Sequence, residues 1–306
     1  MTIRVGMIGL GDIAHKAYLP VLGAHADAEL VAVQSRSAET VDRIAGRYRI
    51  ANAFTEREAF LRTEMDAVFV HSPTGTHEEV VTACLERGLH VYVDKPLSYD
   101  IGASERMAEL AAKRGLLLAV GFNRRFAPLY AEAKAWIEEA GGFDFVIAQK
   151  HRTRQQGVSA KLTLYDDLIH MLDLLLWLGA EPAEVASWLQ ETSDDGRLLH
   201  ASGVLRFGRR EAVFGMNRRA GADLERLELH GGGRSAEIVN LETAVWRDKV
   251  RGETRSAFGG WEPIAFRRGF AGAVDHFLAS LAEPERCLVK ADRVLDSHRL
   301  IERLGG

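Results

Sequence analysis

The sequence predicts an α/β protein of two domains, an N-terminal half built on a doubly wound parallel sheet and a C-terminal α+β half with a mostly antiparallel sheet. Three observations lead to this prediction. From Ile3 to Gly121, short apolar runs alternate with amphipathic helical stretches. After Pro128 the pattern changes to longer runs in which apolar and polar residues alternate. The 306 residues, 47% hydrophobic and 27% charged, suffice for two medium-sized domains.

The first half contains strand-like runs separated by helical segments: IRVGMIGL, ELVAVQS, AVFVHS, HVYVD and LLLAVGF. Nearly continuous apolar residues indicate strands that are buried on both faces, which is typical of a parallel sheet covered by helices. Ligands of such sheets bind at the carboxyl ends of the strands. We therefore expect a nucleotide-binding type of domain over residues 1–122 and a second domain over residues 123–306.

The second half begins with a predicted helix from Leu129 to Glu139, which ends at Gly141-Gly142. Alternating runs follow: FDFVIAQKHR, EVASWLQET, HASGVLRF, EAVFGMNRR and LERLELHG. Their alternation predicts antiparallel strands with one buried face. Asp194-Asp195-Gly196 and Gly208-Arg209-Arg210 are typical hairpin turns. A last helix from Gly272 to Leu281 is expected to return to the first domain.

Charge and composition restrict the class of partner. The formal net charge of −4 argues against a nucleic-acid partner and favours a small molecule. Cys84 and Cys287 are too few for a disulfide framework, which is typical of a reducing compartment. The N-terminus lacks the pattern of a signal peptide, and no apolar run reaches the roughly 18 residues of a membrane span. We expect a cytoplasmic protein without membrane association.

The first strand is followed by Gly9-Leu10-Gly11-Asp12-Ile13-Ala14, a G-x-G-x-x-A pattern, and then by a predicted helix through His15 to Leu22. Gly9 permits a sharp turn, Gly11 permits close approach of a pyrophosphate, and Ala14 lets helix and strand pack closely. The backbone at Asp12 and Ile13 begins the helix, whose positive end stabilises phosphate. The pattern alone also fits a structural glycine-rich turn. Its position after the first strand favours a Rossmann dinucleotide-binding domain.

The second strand ends in Gln34-Ser35-Arg36-Ser37. Domains that prefer NAD usually place a carboxylate here, on the 2′-hydroxyl of the ribose. The Ser35 hydroxyl and the Arg36 guanidinium suit a 2′-phosphate instead, because arginine offers a charge-assisted fork. The sequence therefore favours NADP(H). If Arg36 is a solvated residue at the start of the next helix, NAD(H) remains possible.

Asp94 and Lys95 follow the strand HVYVD directly, at the sheet edge where ligands bind. A lysine there can contact the cofactor and stabilise the alkoxide that precedes hydride loss. The alternative is a salt bridge between Lys95 and Asp94 at the strand end. Ser72, in the loop after AVFVHS, and Asn123, after the last strand of the sheet, complete the predicted cofactor contacts.

The segment Thr163 to Leu178, TLYDDLIHMLDLLLWL, places Asp166, His170 and Asp173 on one stripe of a helix that is otherwise apolar. Polar side chains on a buried helix need hydrogen-bonding partners, and a ligand pocket can supply them. A histidine oriented by a carboxylate one turn away is typical of a general base. Alternatively, Asp166 caps the helix together with Thr163 and His170 is a satisfied core residue. No further His or Cys cluster has metal-ligand spacing, so no metal site is predicted.

Several arginines follow the predicted strands. Arg124 or Arg125 could bind a substrate oxygen or the cofactor phosphates, but a structural ion pair is an equal alternative for each. A further set could meet an anionic substrate: Arg152, Arg154, Arg218 and Arg219. Such runs are more often solvated faces, and we place this set outside the predicted site.

GLGDIA, HVYVDKPL, GFNRRF and the D-x-x-x-H-x-x-D of Asp166, His170 and Asp173 resemble the glucose–fructose oxidoreductase, inositol dehydrogenase and MocA family. AVFVHS, GFNRRFAPLY and LDLLLWL are similar to its virulence-factor MviM-like branch. The resemblance implies a Rossmann domain followed by an open-faced antiparallel sheet domain that often mediates dimers or tetramers. It also implies that Lys95 and His170 flank the nicotinamide, with Asp166 as the accompanying acid.

Three departures from the family pattern occur in this sequence. Asp94 replaces the usual glutamate, Leu168 stands where glycine is common, and Ser35 replaces the acid after the second strand. The first preserves the charge, the second narrows the space beside His170, and the third agrees with NADP(H). None removes a reacting group.

The predicted function is hydride transfer between nicotinamide and a secondary alcohol or carbonyl of a sugar, polyol or related small molecule. His170 takes the hydroxyl proton, Asp166 orients it and Lys95 stabilises the alkoxide. The rival hypothesis is a non-catalytic sensor or regulator that binds NADP(H) on the same fold, and a hydro-lyase that uses the nucleotide transiently is a third. Retention of Lys95, Asp166 and His170 favours the enzyme, because a sensor does not need a proton-transfer set.

Overall fold

The computed structural model describes residues 2–305, and the chain divides into two compact units. The first unit comprises the chain up to Phe122 together with Phe270–Leu295. The second comprises Asn123–Gly269 together with the chain from Asp296 onward.

A parallel sheet forms the centre of the first unit. Its strands are β1 (Ile3–Ile8), β2 (Ala28–Gln34), β3 (Asn52–Phe54), β4 (Ala67–Val70), β5 (His90–Val93) and β6 (Leu118–Val120). Their order, β3-β2-β1-β4-β5-β6, is that of a doubly wound Rossmann sheet. β4 is buried along its whole length, as its apolar run predicts. The sequence missed β3 because this edge strand is three residues long and carries no apolar run.

Helices cover this sheet. The segment after β1 begins with a π-helical turn, Ala14–Tyr18, and continues as α1 (Leu19–Leu22). The others in the chain up to Phe122 are α2 (Ala38–Tyr48), α3 (Arg57–Phe60), α4 (His77–Glu86) and α5 (Ile101–Arg114). Ser37 caps α2 by accepting a hydrogen bond from the Thr40 backbone N–H at 3.2 Å.

The second unit contains an eight-stranded sheet. Its strands are β7 (Phe145–His151), β8 (Glu184–Thr192), β9 (Leu198–Phe207), β10 (Arg210–Asn217), β11 (Leu224–Gly231), β12 (Arg234–Val239), β13 (Thr243–Asp248) and β14 (Gly252–Ala257). The order is β14-β13-β12-β11-β7-β10-β9-β8, and only the pair β7 and β10 is parallel. The predicted fold class is therefore confirmed. The sequence missed β12 to β14 because these strands are short and rich in charged residues.

The helices of the second unit before Gly269 are α6 (Pro128–Glu138), α7 (Ala160–Thr163), α8 (Ile169–Gly179) and α9 (Ile264–Arg267). The single helix predicted from Thr163 is interrupted, because Leu164–Leu168 forms a π-helical turn between α7 and α8. The alternative in which Asp166 and Thr163 cap the helix is not found, because Thr163 forms no side-chain cap hydrogen bond. Ser159 caps α7 instead, accepting from the Leu162 N–H at 3.4 Å.

Two further helices complete the chain, α10 (Phe270–Ala279) in the first unit and α11 (Ala291–Gly305). The division between the units falls within α11, after Leu295. The sequence predicted α10 two residues too late and did not predict α11. Within residues 2–305, every helix is too short or too polar to span a bilayer.

The turn after β1 depends on a glycine. Gly9 has a φ of +88°, in the left-handed region that side chains rarely adopt. A Cβ on Gly9 would lie 2.5 Å from the His71 carbonyl oxygen and 2.5 Å from the Ser72 nitrogen. The His71 N–H donates to the Ile8 carbonyl at 2.7 Å, so the backbone after β4 cannot move away without loss of this bond.

Gly9→Ala should therefore lower the free energy of unfolding by more than about 2 kcal/mol, because the left-handed backbone alone costs roughly 1–2 kcal/mol and the Cβ adds a backbone overlap. Urea unfolding followed by circular dichroism measures this change. Gly46→Ala is the matched control, since Gly46 lies in α2 and a Cβ added there would meet no described heavy atom within 4 Å. Equal stability of Gly9→Ala and the wild type would contradict this account of the turn.

Candidate active site

The glycine-rich turn after β1 leaves open space at its surface. Gly11 is exposed, and a Cβ added to it would meet no heavy atom of the described chain within 4 Å. The His15 N–H donates to the Gly11 carbonyl at 3.1 Å, which begins the helical segment. Asp12 is exposed and forms an ion pair with Lys16 at 2.9 Å, whereas Ile13 is half-buried. This open, Cβ-free backbone fits the close approach of a dinucleotide pyrophosphate.

The end of β2 carries the residues predicted to select the cofactor. Ser35 is half-buried, and its backbone N–H donates to the Phe54 carbonyl at 3.2 Å. Arg36 is exposed, and its guanidinium has no carboxylate partner within residues 2–305. The segment Gln34-Ser35-Arg36-Ser37 thus offers an exposed guanidinium and no acid.

A buried histidine joins the loop after β4 to the segment after β5. The Nε2 atom of His77 lies 2.9 Å from the Ser72 carbonyl oxygen, and its Nδ1 atom lies 3.0 Å from that of Pro96 and 3.2 Å from that of Leu97. Burial lowers the pKa of His77, and these carbonyl oxygens together with Asp94 oppose that effect. His77 therefore positions the Ser72 loop against the segment that carries Lys95.

Asp94 and Lys95 follow β5, and the peptide bond between Lys95 and Pro96 is cis. The Lys95 backbone N–H donates to Asp94 Oδ1 at 2.9 Å, while the Asp94 side chain is only 19% exposed. Burial raises the pKa of Asp94, and the charge of Lys95 opposes this shift most strongly. Lys95 itself is half-buried at the carboxyl end of the sheet, where the sequence predicted it.

Behind Asp94 lies a polar cluster that the sequence did not predict as a group. His71 is fully buried, stacks on Tyr18 with ring centroids 4.0 Å apart, and has no hydrogen-bond partner at either ring nitrogen within residues 2–305. Its Nδ1 atom lies 4.0 Å from Asp94 Oδ2. The hydroxyls of Tyr18 and Tyr92 are 3.2 Å apart. Burial, with the nearby His77, lowers the pKa of His71 to about 3, so the imidazole is neutral.

In the second unit, a buried arginine contacts the predicted catalytic histidine. Arg124 lies in the turn Asn123–Phe126 and forms a two-point ion pair with Glu225, with Nε to Oε1 at 2.5 Å and Nη2 to Oε2 at 2.8 Å. The Nη1 atom of Arg124 lies 2.8 Å from His170 Nδ1. Asn123, predicted as a cofactor contact, donates from Nδ2 to the Arg268 carbonyl at 2.7 Å. His170, which lies in α8, is therefore contacted by a guanidinium that Glu225 of β11 anchors to the sheet.

The three polar residues of the predicted stripe lie in different surroundings. Asp173 is buried and accepts two hydrogen bonds from Arg125, at 2.9 and 2.6 Å, and one from Ser297 at 2.9 Å. Asp173 therefore has a structural role. Arg125 forms the structural ion pair that was one of the two alternatives for it. Asp166 is half-buried in the π-helical turn, and His170 is buried in α8.

Besides the ion pair of Arg124 and Glu225, the second unit contains an ionic cluster around Asp167. The sequence did not predict Asp167 as part of a site. Lys150 and Arg218 each form an ion pair with its carboxylate, and Arg152 Nε lies 3.9 Å from Oδ2. Burial would raise the pKa of Asp167, but these three cations lower it to about 2. Arg218 is therefore buried and paired, and its expected place on a solvated face is wrong.

The sequence contained a signal for Lys150 and Glu225. β7 buries Val146, Ala148 and Lys150 in alternation, so the lysine falls in the buried phase of its strand. β11 buries Glu225 in phase with Leu227 and Leu229. The two charged residues face each other across the β7–β11 pair. Charged residues in the buried phase of a strand indicate a polar site.

Within residues 2–305, no group of three or more potential metal ligands occurs. The candidate site residues carry hydroxyl, carboxylate, imidazole and cationic side chains.

Two family models match this chain. The model of the oxidoreductase family with an NAD-binding Rossmann fold matches residues 3–122, and the model of the YceM-like C-terminal domain matches residues 128–249. The YceM protein of Salmonella typhimurium is 35% identical over 99% of this chain and 97% of its own. An inositol 2-dehydrogenase of Rhizobium meliloti is 26% identical over 92% of this chain and 89% of its own.

Solved structures agree with these matches. The crystal structure of the dehydrogenase MviM from Clostridium difficile has a TM-score of 0.93 and 32% identity, over 99% of this chain and 98% of that chain. The 3-ketoreductase KijD10 from Actinomadura kijaniata shares the fold, with a TM-score of 0.83 and 20% identity over 100% of this chain and 97% of that chain. The resemblance seen in the sequence motifs is confirmed, and the chain belongs to the glucose–fructose oxidoreductase, inositol dehydrogenase and MocA family of oxidoreductases with an NAD-binding Rossmann fold.

Proposed function

We propose that this oxidoreductase prefers NADP(H) and interconverts a secondary alcohol and a carbonyl in a sugar, a polyol or a related small molecule. The polyol class is taken from relatives named inositol 2-dehydrogenase. The family resemblance adds the proposal of a dimer or tetramer formed through the sheet of the second unit. The observation that carries the chemistry is the 2.8 Å contact between Arg124 and the buried His170.

The cofactor residues of the proposal lie mainly at the carboxyl ends of the first sheet. They are Gly9, Gly11, Asp12, Ile13, Ser35, Arg36, Ser72, Asp94, Lys95 and Asn123. When bound, the nicotinamide accepts or delivers the hydride. Arg36 binds the 2′-phosphate, because its exposed guanidinium offers paired donors and lacks a carboxylate partner in the described chain. Gly11 gives the backbone room to contact the pyrophosphate.

The contact with Arg124 determines which nitrogen of His170 carries hydrogen. A guanidinium only donates hydrogen bonds, so His170 Nδ1 must accept. The neutral ring therefore carries its hydrogen on Nε2. His170 thus acts as a neutral hydrogen-bond donor to the substrate oxygen, whereas the sequence suggested a general base.

Lys95 then moves the proton. In the direction of reduction, its ammonium group protonates the substrate oxygen while the Nε2–H of His170 stabilises the negative charge developing there. In the direction of oxidation, the neutral Lys95 amine takes the hydroxyl proton. Asp166 binds a second substrate hydroxyl, which holds the reacting carbon in place.

The first test is a fluorescence titration with NADPH and NADH. The wild type should bind NADPH at least about tenfold more tightly, since a charge-assisted hydrogen bond contributes roughly 1.5–3 kcal/mol. Arg36→Ala should remove this difference, whereas Gly11→Val should weaken both nucleotides equally by filling the open turn. Arg62→Ala removes another exposed arginine of the first unit and serves as the control. Binding of neither nucleotide would overturn the proposed function, and equal binding would remove the preference for NADP(H).

The tautomer of His170 is tested by ¹⁵N-NMR of histidine side chains, with His170→Gln to assign the signals. At neutral pH we expect an unprotonated Nδ1 and a protonated Nε2, because Arg124 donates to Nδ1. Arg124→Lys keeps a cation opposite Glu225 but loses the guanidinium that contacts Glu225 and His170 at once. Without that donor at Nδ1, we expect a mixture of tautomers. Hydrogen on Nδ1 in the wild type would rule out the assigned role.

The role of Lys95 is tested by a screen of polyols, sugars and their oxidised forms. With a substrate from this screen, Lys95→Ala should lower kcat by roughly 10²–10⁴-fold, the usual range for loss of a general acid or base. The Kd for NADPH should change much less. Lys113→Ala, at an exposed position of α5, is the matched control and should keep the wild-type kcat. Full turnover by Lys95→Ala would refute the assignment.

A further inference from the structure

The ionic cluster of the second unit contains more positive than negative charge. Lys150, Arg152 and Arg218 share the carboxylate of Asp167. Lys150 also faces Glu225 across the strand pair, but both Glu225 oxygens are bound to Arg124. Four cations therefore meet two carboxylates within this part of the described chain.

One of these cations retains a donor that the described residues leave unused. The Nε atom of Arg218 is buried and has no hydrogen-bond partner in residues 2–305, although this side chain is only 6% exposed. The Nη1 atom of Arg152 donates to the His151 carbonyl at 3.0 Å, and the Arg152 side chain is 26% exposed. Buried donors without acceptors are costly, and unpaired buried cations more so. The cluster reaches solvent through Arg152, where an external acceptor can enter.

One neighbouring acid contributes negative charge from the surface, where solvent screens it. Asp223, which acts on both Arg152 and Arg218, is exposed, and its Oδ1 accepts from the Thr153 backbone N–H at 2.9 Å and from its hydroxyl at 3.2 Å. Burial and the charge of Arg124 lower the pKa of Lys150 to about 7, with Asp167 opposing them. An added anion would relieve both the unused donor and the repulsion among the cations.

The cluster is continuous with the histidine of the proposed reaction. Asp167 precedes His170 by three residues in the helical segment, and Arg124 contacts both Glu225 and His170. We propose that Lys150, Arg152 and Arg218 bind an oxyanion of the substrate, a carboxylate or a phosphate. Asp167 holds the three cations in position. The substrate is then an anionic hydroxy or oxo compound rather than a neutral polyol, and this assignment rests on the proposed oxidoreductase function.

The test measures oxyanion binding directly, by isothermal titration of the full chain with inorganic phosphate and with malonate at constant ionic strength. Titrations are run with and without saturating NADPH, because phosphate can also bind the glycine-rich turn of the first unit. Arg218→Gln and Arg152→Gln remove one cation each. Arg219→Gln removes the same charge from the adjacent exposed residue and is the matched control.

With NADPH present, the wild type should bind at least one of the two anions. Arg218→Gln and Arg152→Gln should each weaken this binding by about tenfold or more, as expected for loss of a charge-assisted hydrogen bond. Arg219→Gln should stay within about twofold of the wild type. The tighter of the two anions identifies the substrate group as phosphate or carboxylate. Because Arg152 is partly exposed, its variant decides the question if Arg218→Gln does not fold.

Two results would overturn the proposal: no binding of either anion to the wild type, or equal losses in Arg152→Gln, Arg218→Gln and Arg219→Gln. The second result would mean that only overall charge attracts the anion. Neither result would contradict the proposed oxidoreductase function. That function would be contradicted if the same samples bound neither NADPH nor NADH.

Discussion

The need to pair buried charge determines the arrangement of the second unit. Lys150 and Glu225 lie on the buried side of two adjacent strands, where an isolated ion is too costly to keep. Each therefore draws a partner from elsewhere in the chain, Asp167 from the π-helical turn and Arg124 from the turn after β6. These two ion pairs tie helix, turn and sheet together. His170 contacts Arg124, the partner of Glu225 in one of these pairs. The hydrogen bond of His170 therefore depends on a charge carried by the sheet.

The first unit relies on backbone geometry rather than on charge. Gly9 turns the chain so closely against the residues after β4 that no side chain fits there, while Gly11 faces open space. The same turn therefore combines a tightly packed side and an exposed side. The loop of Ser72 and the segment of Lys95 are joined by His77, whose ring nitrogens lie against carbonyl oxygens of both. A rigid backbone surface results, which suits a ligand recognised through its phosphates.

Sequence reasoning succeeded where the determining contacts are local. The glycine pattern, the long apolar strands and the position of Lys95 after β5 all depend on neighbouring residues, and so they could be predicted. The weak points were short or charged strands, such as β3 and β14, whose pairing comes from the sheet rather than from their own residues. The stripe of Asp166, His170 and Asp173 stays a prediction as a functional unit, and what the sequence did not show is the π-helical turn Leu164–Leu168 that contains Asp166.

The partners of the charged residues could not be predicted, because they lie far apart in sequence. Arg124 and Glu225 are separated by 101 residues, and Arg218 and Asp167 by 51. A pattern can show that Glu225 falls in the buried phase of β11, but only the strand register shows which cation reaches it.

This difference has a functional consequence. In the first unit, the proposed pyrophosphate contacts are backbone atoms of the glycine-rich turn, and of its two glycines Gly9 is the one that the packing of the fold requires. In the second unit, Lys150 and Glu225 project from β7 and β11 and Arg218 follows the end of β10, so the proposed oxyanion contacts are made by side chains rather than by the backbone. A change at Lys150 or Arg218 would alter the charge of this cluster and would also remove a buried partner of Asp167, which costs stability. We expect the substrate class to be the property that a few substitutions could shift in this fold, and in the proposed oxyanion site the cations around Asp167 would determine it.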